Sequence, residues 1–143
     1  MKFQNRNRSV FQHYFRTSFN ALPSWLVSFP DETWHRHRFK MFDKYCYPSI
    51  RGQSNQNFKW IVVFSVKTPK VYKKKIEKYA EYKNFIPIYI PEDKHPDVIP
   101  QEIIPKYLRN DTSYIITTRI ESDDALCRDY VEMIQESFDN KSS

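Results

Sequence analysis

Glu121-Ser122-Asp123-Asp124 places three carboxylates within four residues. Carboxylates held that close repel one another unless a cation sits among them. Hard oxygen ligands suit Mg²⁺ or Mn²⁺, ions that commonly bridge to substrate phosphates. The same residues permit a purely structural role. Asp123 could be the N-cap of a following helix, with Asp124 in its first turn, satisfying free backbone N–H groups. The remaining reactive side chains are dispersed. Cys46 and Cys127 belong to no CxxC pattern, and two cysteines make no disulfide framework, so a reducing cytoplasm is expected. His35 and His37 are two apart, face different ways on a helix and make a poor metal pair.

The acidic turn must be positioned by what precedes it. Tyr114 to Ile120 is a β-prone run that leads straight into it. After it, Leu126, Tyr130, Met133, Ile134 and Phe138 share one face of a last helix, and the polar tail 139–143 is expected to fray. Val10 to Phe15 reads as a first strand, followed by a Pro-containing loop from Leu22 to Pro30. Asp31-Glu32-Thr33 opens a helix, with acids at the positive end of its dipole. Trp34, Arg38, Met41, Phe42 and Tyr45 fall on one helical face, and Pro48 is expected to end it. Gly52 lies in the turn that follows.

Phe58 to Phe64 is apolar without strict alternation, the pattern of a strand buried on both faces of a parallel sheet. Thr68-Pro69 starts another helix, with Tyr72, Ile76, Tyr79 and Ala80 as its apolar stripe and Lys73-Lys74-Lys75 as a solvated face. Phe85 to Ile90 is a short strand. Pro87 inside it cannot donate to a ladder, which predicts an edge or a bulge. Residues 91–105 hold four prolines and read as a loop, with a turn of helix around Gln101 to Leu108. Alternating strands and helices predict an α/β layer with a mostly parallel sheet, in a single domain over residues 1–143. Ligands of such sheets bind outside the carboxyl ends of the strands, which is where the acidic turn falls.

Composition narrows the chemistry. The 143 residues include one glycine, too few for a Walker A loop or a dinucleotide-binding Rossmann fingerprint. Residues 1–80 carry 16 Lys and Arg against 4 Asp and Glu, and residues 81–143 carry 7 against 13. The net +6 therefore hides a half at +12 and a half at −6. A basic first half with interleaved aromatics would suit an anionic partner. A nucleic-acid-binding module is accordingly the alternative function, although no basic recognition motif is present. The polar start Met1–Ser9 has no apolar segment of a signal peptide, and the run Trp60–Phe64 is too short to span a bilayer.

Four blocks, in order, resemble the putative rhamnosyltransferase family, a group of GT-A-type glycosyltransferases. They are His13-Tyr14-Phe15-Arg16-Thr17-Ser18-Phe19-Asn20; Trp34-x-x-x-Arg38-x-x-Met41-Phe42 running to Cys46-Tyr47-Pro48-Ser49-Ile50 and Gln53; Gln56 to Phe64 with Thr68-Pro69; and Tyr114 to Leu126 with Arg128-Asp129-Tyr130-Val131. The last is the most specific. The resemblance implies a GT-A-like, Rossmann-like sheet and a transferase using a nucleotide-sugar donor, with a glycan or other acceptor left unidentified. Glu121-Ser122-Asp123 occupies the place of the family's Asp-x-Asp motif, which holds a divalent metal, Mn or Mg, against the donor diphosphate. By that resemblance Asp123 is the first metal ligand. Glu121 contacts metal or ribose, and Asp124 supports them. Arg119, Arg38 and Thr17 fall to donor binding, while the two arginines could equally form structural ion pairs.

Three positions depart from the family pattern. Glu121 stands where Asp is usual, Ser65 follows Val62-Val63-Phe64 where Asp is usual, and no Arg directly precedes Phe19-Asn20. The resemblance also implies roughly a hundred further residues for an acceptor site, judged against ordinary domain lengths. The expectation is thus the donor-binding portion of a transferase: a truncated or inactive form, or one whose acceptor half a second chain supplies. No residue is assigned as catalytic base, since Asp129 and Glu132 on the last helix are not placed for it.

Overall fold

Strands that are apolar on both sides must be covered on both sides, and two here are. In the computed structural model, which describes residues 10–22 and 28–142, β1 (Phe11–Ser18) and β2 (Lys59–Ser65) form the centre of a parallel four-stranded sheet. β3 (Phe85–Ile90) and β4 (Tyr114–Arg119) are its edges, in the order β3-β2-β1-β4. Phe15 is in register with Trp60 and with Thr118, and Trp60 with Phe85. This is the α/β, Rossmann-like arrangement that the alternating elements predict. Pro87 sits on edge strand β3, where its missing N–H costs no ladder bond, opposite Val62. Met1–Ser9 and most of the loop 22–30 lie outside the described residues.

One sheet face is covered by helices α1 (Glu32–Met41), α2 (Tyr47–Arg51), α3 (Lys70–Tyr79) and α5 (Tyr130–Ser142). Its core is aromatic: Phe15, Phe19, Phe39, Phe42, Trp60 and Phe64 are all buried. Phe39 stacks on Tyr72 with ring centroids 4.5 Å apart and planes 10° apart. The other face is thinner. There, Tyr14, Ile61, Val63, Ile86 and Ile90 pack under Ile99 and Ile104, from α4 (Ile99–Ile103) and its flanking 3₁₀ turns Pro96–Val98 and Ile104–Tyr107. Among the described residues no helix is long and apolar enough to cross a membrane.

Several boundaries differ from the sequence expectation. β1 runs on to Ser18, because ladder bonds to β2 and β4 hold its polar end extended. Pro48 does not end the helix. A π-helical turn, Phe42–Cys46, shifts the hydrogen-bond register so that Pro48 falls in the first turn of α2, where no N–H is required. The buried stripe of this helical run is His35, Phe39, Phe42, Cys46 and Ile50. Trp34, Arg38 and Met41 flank it, and Tyr45 is exposed. On α3, Tyr72, Ile76 and Tyr79 are buried as expected, but Ala80 is exposed. Lys75 pairs with Asp43 at 2.5 Å and Lys73 donates to the Val66 carbonyl, so only part of the lysine run is a bare solvated face.

At α5, Met133 points outward while Val131 and Gln135 are buried, and the helix continues through residue 142 instead of fraying at 139. The lone glycine caps α2, where an added Cβ would come within 3.0 Å of the Pro48 carbonyl oxygen.

The crossovers create a crevice. From β1 to β2 to β3 the chain steps one way, with α1–α3 on one face. From β3 it returns over the opposite face, through α4, to lay β4 on the far side of β1. Opposite directions on opposite faces are what right-handed crossovers demand. The point where the direction reverses lies between the carboxyl ends of β1 and β4, the usual place for a ligand in an open α/β sheet.

Candidate functional site at the β1/β4 crest

The acidic turn begins one residue beyond β4, at that crevice. It is a self-contained turn, not a helix cap. The Glu121 N–H donates to Asp124 Oδ2 at 2.8 Å, and the Asp124 N–H returns to the Glu121 carbonyl at 3.0 Å. The last helix starts only at Tyr130, so the N-cap role for Asp123 is excluded. Its place is taken by side chains from elsewhere. Gln53 Oε1 accepts the Val131 N–H at 2.9 Å, while its Nε2 donates to the carbonyls of Cys127 and Ser49. Ser49 Oγ accepts the Leu126 N–H. Segment 126–131 is thereby stapled to the end of α2.

Arg38 is the helical residue that reaches the turn. Its Nη1 donates to Ser122 Oγ at 2.9 Å and lies 4.0 Å from Asp123 Oδ2, with the guanidinium 5.0 Å above the Trp34 ring. Ser122 is 1 % exposed, so this bond anchors the middle of the turn while Glu121 and Asp123 on either side stay exposed. Arg119 Nη2 is 3.6 Å from Glu121 Oε1. Below the turn, Cys46 Sγ contacts the Glu121 carbonyl at 3.6 Å. Burial, then the Asp124 and Asp123 charges, push its thiol well above the ordinary range, so it stays protonated and inert.

The structure therefore brings Arg38, Arg119, Glu121, Asp123 and Asp124 to one crest. Thr17 is 2 % exposed, and its hydroxyl accepts the Trp60 indole N–H at 2.8 Å, although the residue borders a small cavity together with Arg119. Asp124 is occupied with the turn's own backbone. Among the described residues no group of three or more His, Cys, Asp or Glu side chains is arranged to hold a metal ion by itself.

Sequence reasoning missed a buried polar cluster at the carboxyl ends of β1 and β2. Asn20 Oδ1 accepts the Ser65 N–H, and its Nδ2 donates to Thr68 Oγ1 and faces His35 Nε2 at 3.0 Å. His35 Nδ1 meets the Asp31 carbonyl, an acceptor only, so the ring proton sits on Nδ1 and Nε2 accepts from Asn20. The signal was available as Asn20 and Thr68 at consecutive strand ends, but His35 counted as polar and hid the true buried stripe. Ser65 belongs to this cluster: its hydroxyl accepts the Lys67 N–H at 3.0 Å.

A model of the putative rhamnosyl transferase family matches residues 27–142. The chain belongs to that family. No curated protein and no solved structure gives a match. The family match covers α1 through α5, including the acidic turn, Arg38, Ser122 and the Gln53 staple, whereas β1 and the Thr17–Asn20 turn precede it. Membership of this glycosyltransferase family implies a sugar donor and an acceptor. Nothing in the site favours the nucleic-acid alternative: most of the described aromatics that would stack bases are packed in the core.

Proposed function

We propose that the chain binds a nucleotide-sugar donor at the β1/β4 crevice, as the donor-binding part of a glycosyl transfer reaction. One observation carries this reading. The acidic turn lies at the switch point of the sheet, with its central serine pinned by Arg38 and its flanking carboxylates exposed. Asp123 and Glu121 would hold a divalent cation, and the missing third protein ligand fits an ion that takes its other oxygens from diphosphate and water. Such an ion, when bound, offsets the negative charge that develops on a departing nucleoside diphosphate. Arg38 keeps the turn in register and balances Asp123 in the absence of ligand. Glu121 is one methylene longer than Asp, and its carboxylate would exchange the Arg119 guanidinium, 3.6 Å away, for the cation.

Isothermal titration with nucleoside diphosphates and Mn²⁺ tests the reading. Saturable, Mn²⁺-dependent binding that disappears in Asp123→Ala is expected. Absence of binding, or binding unchanged in that variant, overturns it. Sugar transfer to an acceptor by this chain alone is expected to be weak or absent, since the crest provides no assigned base.

A further inference from the structure

We infer that Arg16 and Arg119 form a metal-independent anion site for the phosphate of an organic ligand, with Asp97 as its displaceable counter-ion. The two arginines are register partners on adjacent strands β1 and β4, so their side chains leave the same sheet face. That face is the thinner one, opposite the aromatic core. Both line one small cavity with Ser18, Val63, Pro96 and Asp97.

Like charges directly opposite each other in a sheet are destabilising, so the pairing needs a reason. The acids nearby provide only loose compensation. Arg16 Nη1 is 3.6 Å from Asp97 Oδ1, and Arg119 is 3.6 Å from Glu121. Neither guanidinium has a hydrogen-bond partner among the described residues, although each carries five N–H donors in a planar fork. In contrast, Arg38 is bonded to Ser122 at 2.9 Å. The Arg16 side chain is only 33 % exposed, so a charge held there is worth more than one at the open surface.

Two forks side by side at the mouth of the switch-point crevice match a tetrahedral oxyanion. The ligand need not end there. Arg16, Asp97 and Pro100 also line a groove of about 500 Å³ that runs along Gln101, Ile115 and Thr117 to Leu108. Its size suits the body of a small organic phosphate. Asp97 is well exposed, its side chain 58 % accessible, so it can turn to water when an anion arrives.

This extends the donor reading by adding a cationic wall to the crevice, but it stands without the cation. Pyrophosphate in EDTA at low salt is therefore the probe, titrated into the full chain. Single-site binding is expected, weakened about tenfold in Arg16→Gln and in Arg119→Gln, the loss of one charge-assisted contact. Asp97→Asn should bind more tightly, because it removes the competing charge. Asp123→Ala, defective with Mn²⁺ and nucleoside diphosphate if the donor reading holds, should keep pyrophosphate binding in EDTA. No binding in EDTA by the wild-type chain, or equal binding in wild type and both arginine variants, overturns the inference and leaves the metal-dependent reading to its own test. Circular dichroism of each variant separates lost binding from lost fold.

Discussion

His13 shows how much one side chain can organise. It lies in β1, and its two ring nitrogens tie the sheet to its last helix. Gln135 Nε2 donates to the Asn57 carbonyl and faces His13 Nδ1 at 3.1 Å, so Nδ1 must accept. Nε2 therefore carries the proton and meets Thr118 Oγ1 on β4 at 2.7 Å. A second proton would set N–H against N–H at Gln135. Burial accordingly lowers the imidazole from its ordinary 6.5 to about 4. A base depressed in the fold stabilises it fully above the unfolded value and loses that contribution as pH falls towards the folded value. Between pH 6.5 and 4 the wild type should lose about 3 kcal/mol relative to His13→Gln, which has no titrating ring. Urea unfolding of both at pH 7, 5 and 4 measures it, and a constant gap would refute the assignment. None of this was legible beforehand. A histidine in a β-prone run says nothing of which helix will cover it, whereas the position of the acidic turn, just beyond a strand's carboxyl end, was legible from the β-prone run that leads into it.

At the scale of elements, sequence periodicity found every strand and the major helices, yet misplaced where several of the helices begin, end or face. In the two cases that follow, hydrogen bonding outside the regular α-helical pattern overrides the local signal. Pro48 reads as a stop only if hydrogen bonding keeps α-helical spacing, and the π turn before it does not. Asp123 reads as a cap only if the helix follows at once, but α5 waits until Gln53 can receive the Val131 N–H. Gln53 is thus the cap of a helix 78 residues away. Gln53→Ala would strand a buried N–H and two carbonyls, costing about 1–3 kcal/mol. The loss should concentrate in α5 and the 126–131 segment, seen as faster amide exchange there than in β2. A loss below about 0.5 kcal/mol, the range of ordinary surface substitutions, would show that the staple is dispensable.

For the molecule as a whole, alternation of strands and helices predicted a parallel α/β sheet, but not its order. Consecutive strands pair so often that β4 would be expected beside β3, and the reversal that places it beside β1 creates the crevice. The consequence is uneven protection. β1 and β2 are bonded on both sides and buried on both faces, while β4 is bonded on one side and both its faces are partly open, with Tyr114 and Ile115 about half exposed. Local opening follows buried contacts and solvent access of the ladder, so the sheet should exchange amide hydrogens in a graded order: β1 and β2 slowest, β4 much faster. Ligand binding at the crevice should then slow β4 selectively, because both the acidic turn and Arg119 are fixed at its carboxyl end. Native-state exchange with and without Mn²⁺ and a nucleoside diphosphate measures both effects. Protection of β4 equal to that of β2 in the free chain would mean that its open edge is covered in solution. A ligand-induced slowing confined to β3, on the far edge, would place the donor away from the β1/β4 switch point and remove the physical basis for assigning it to the acidic turn.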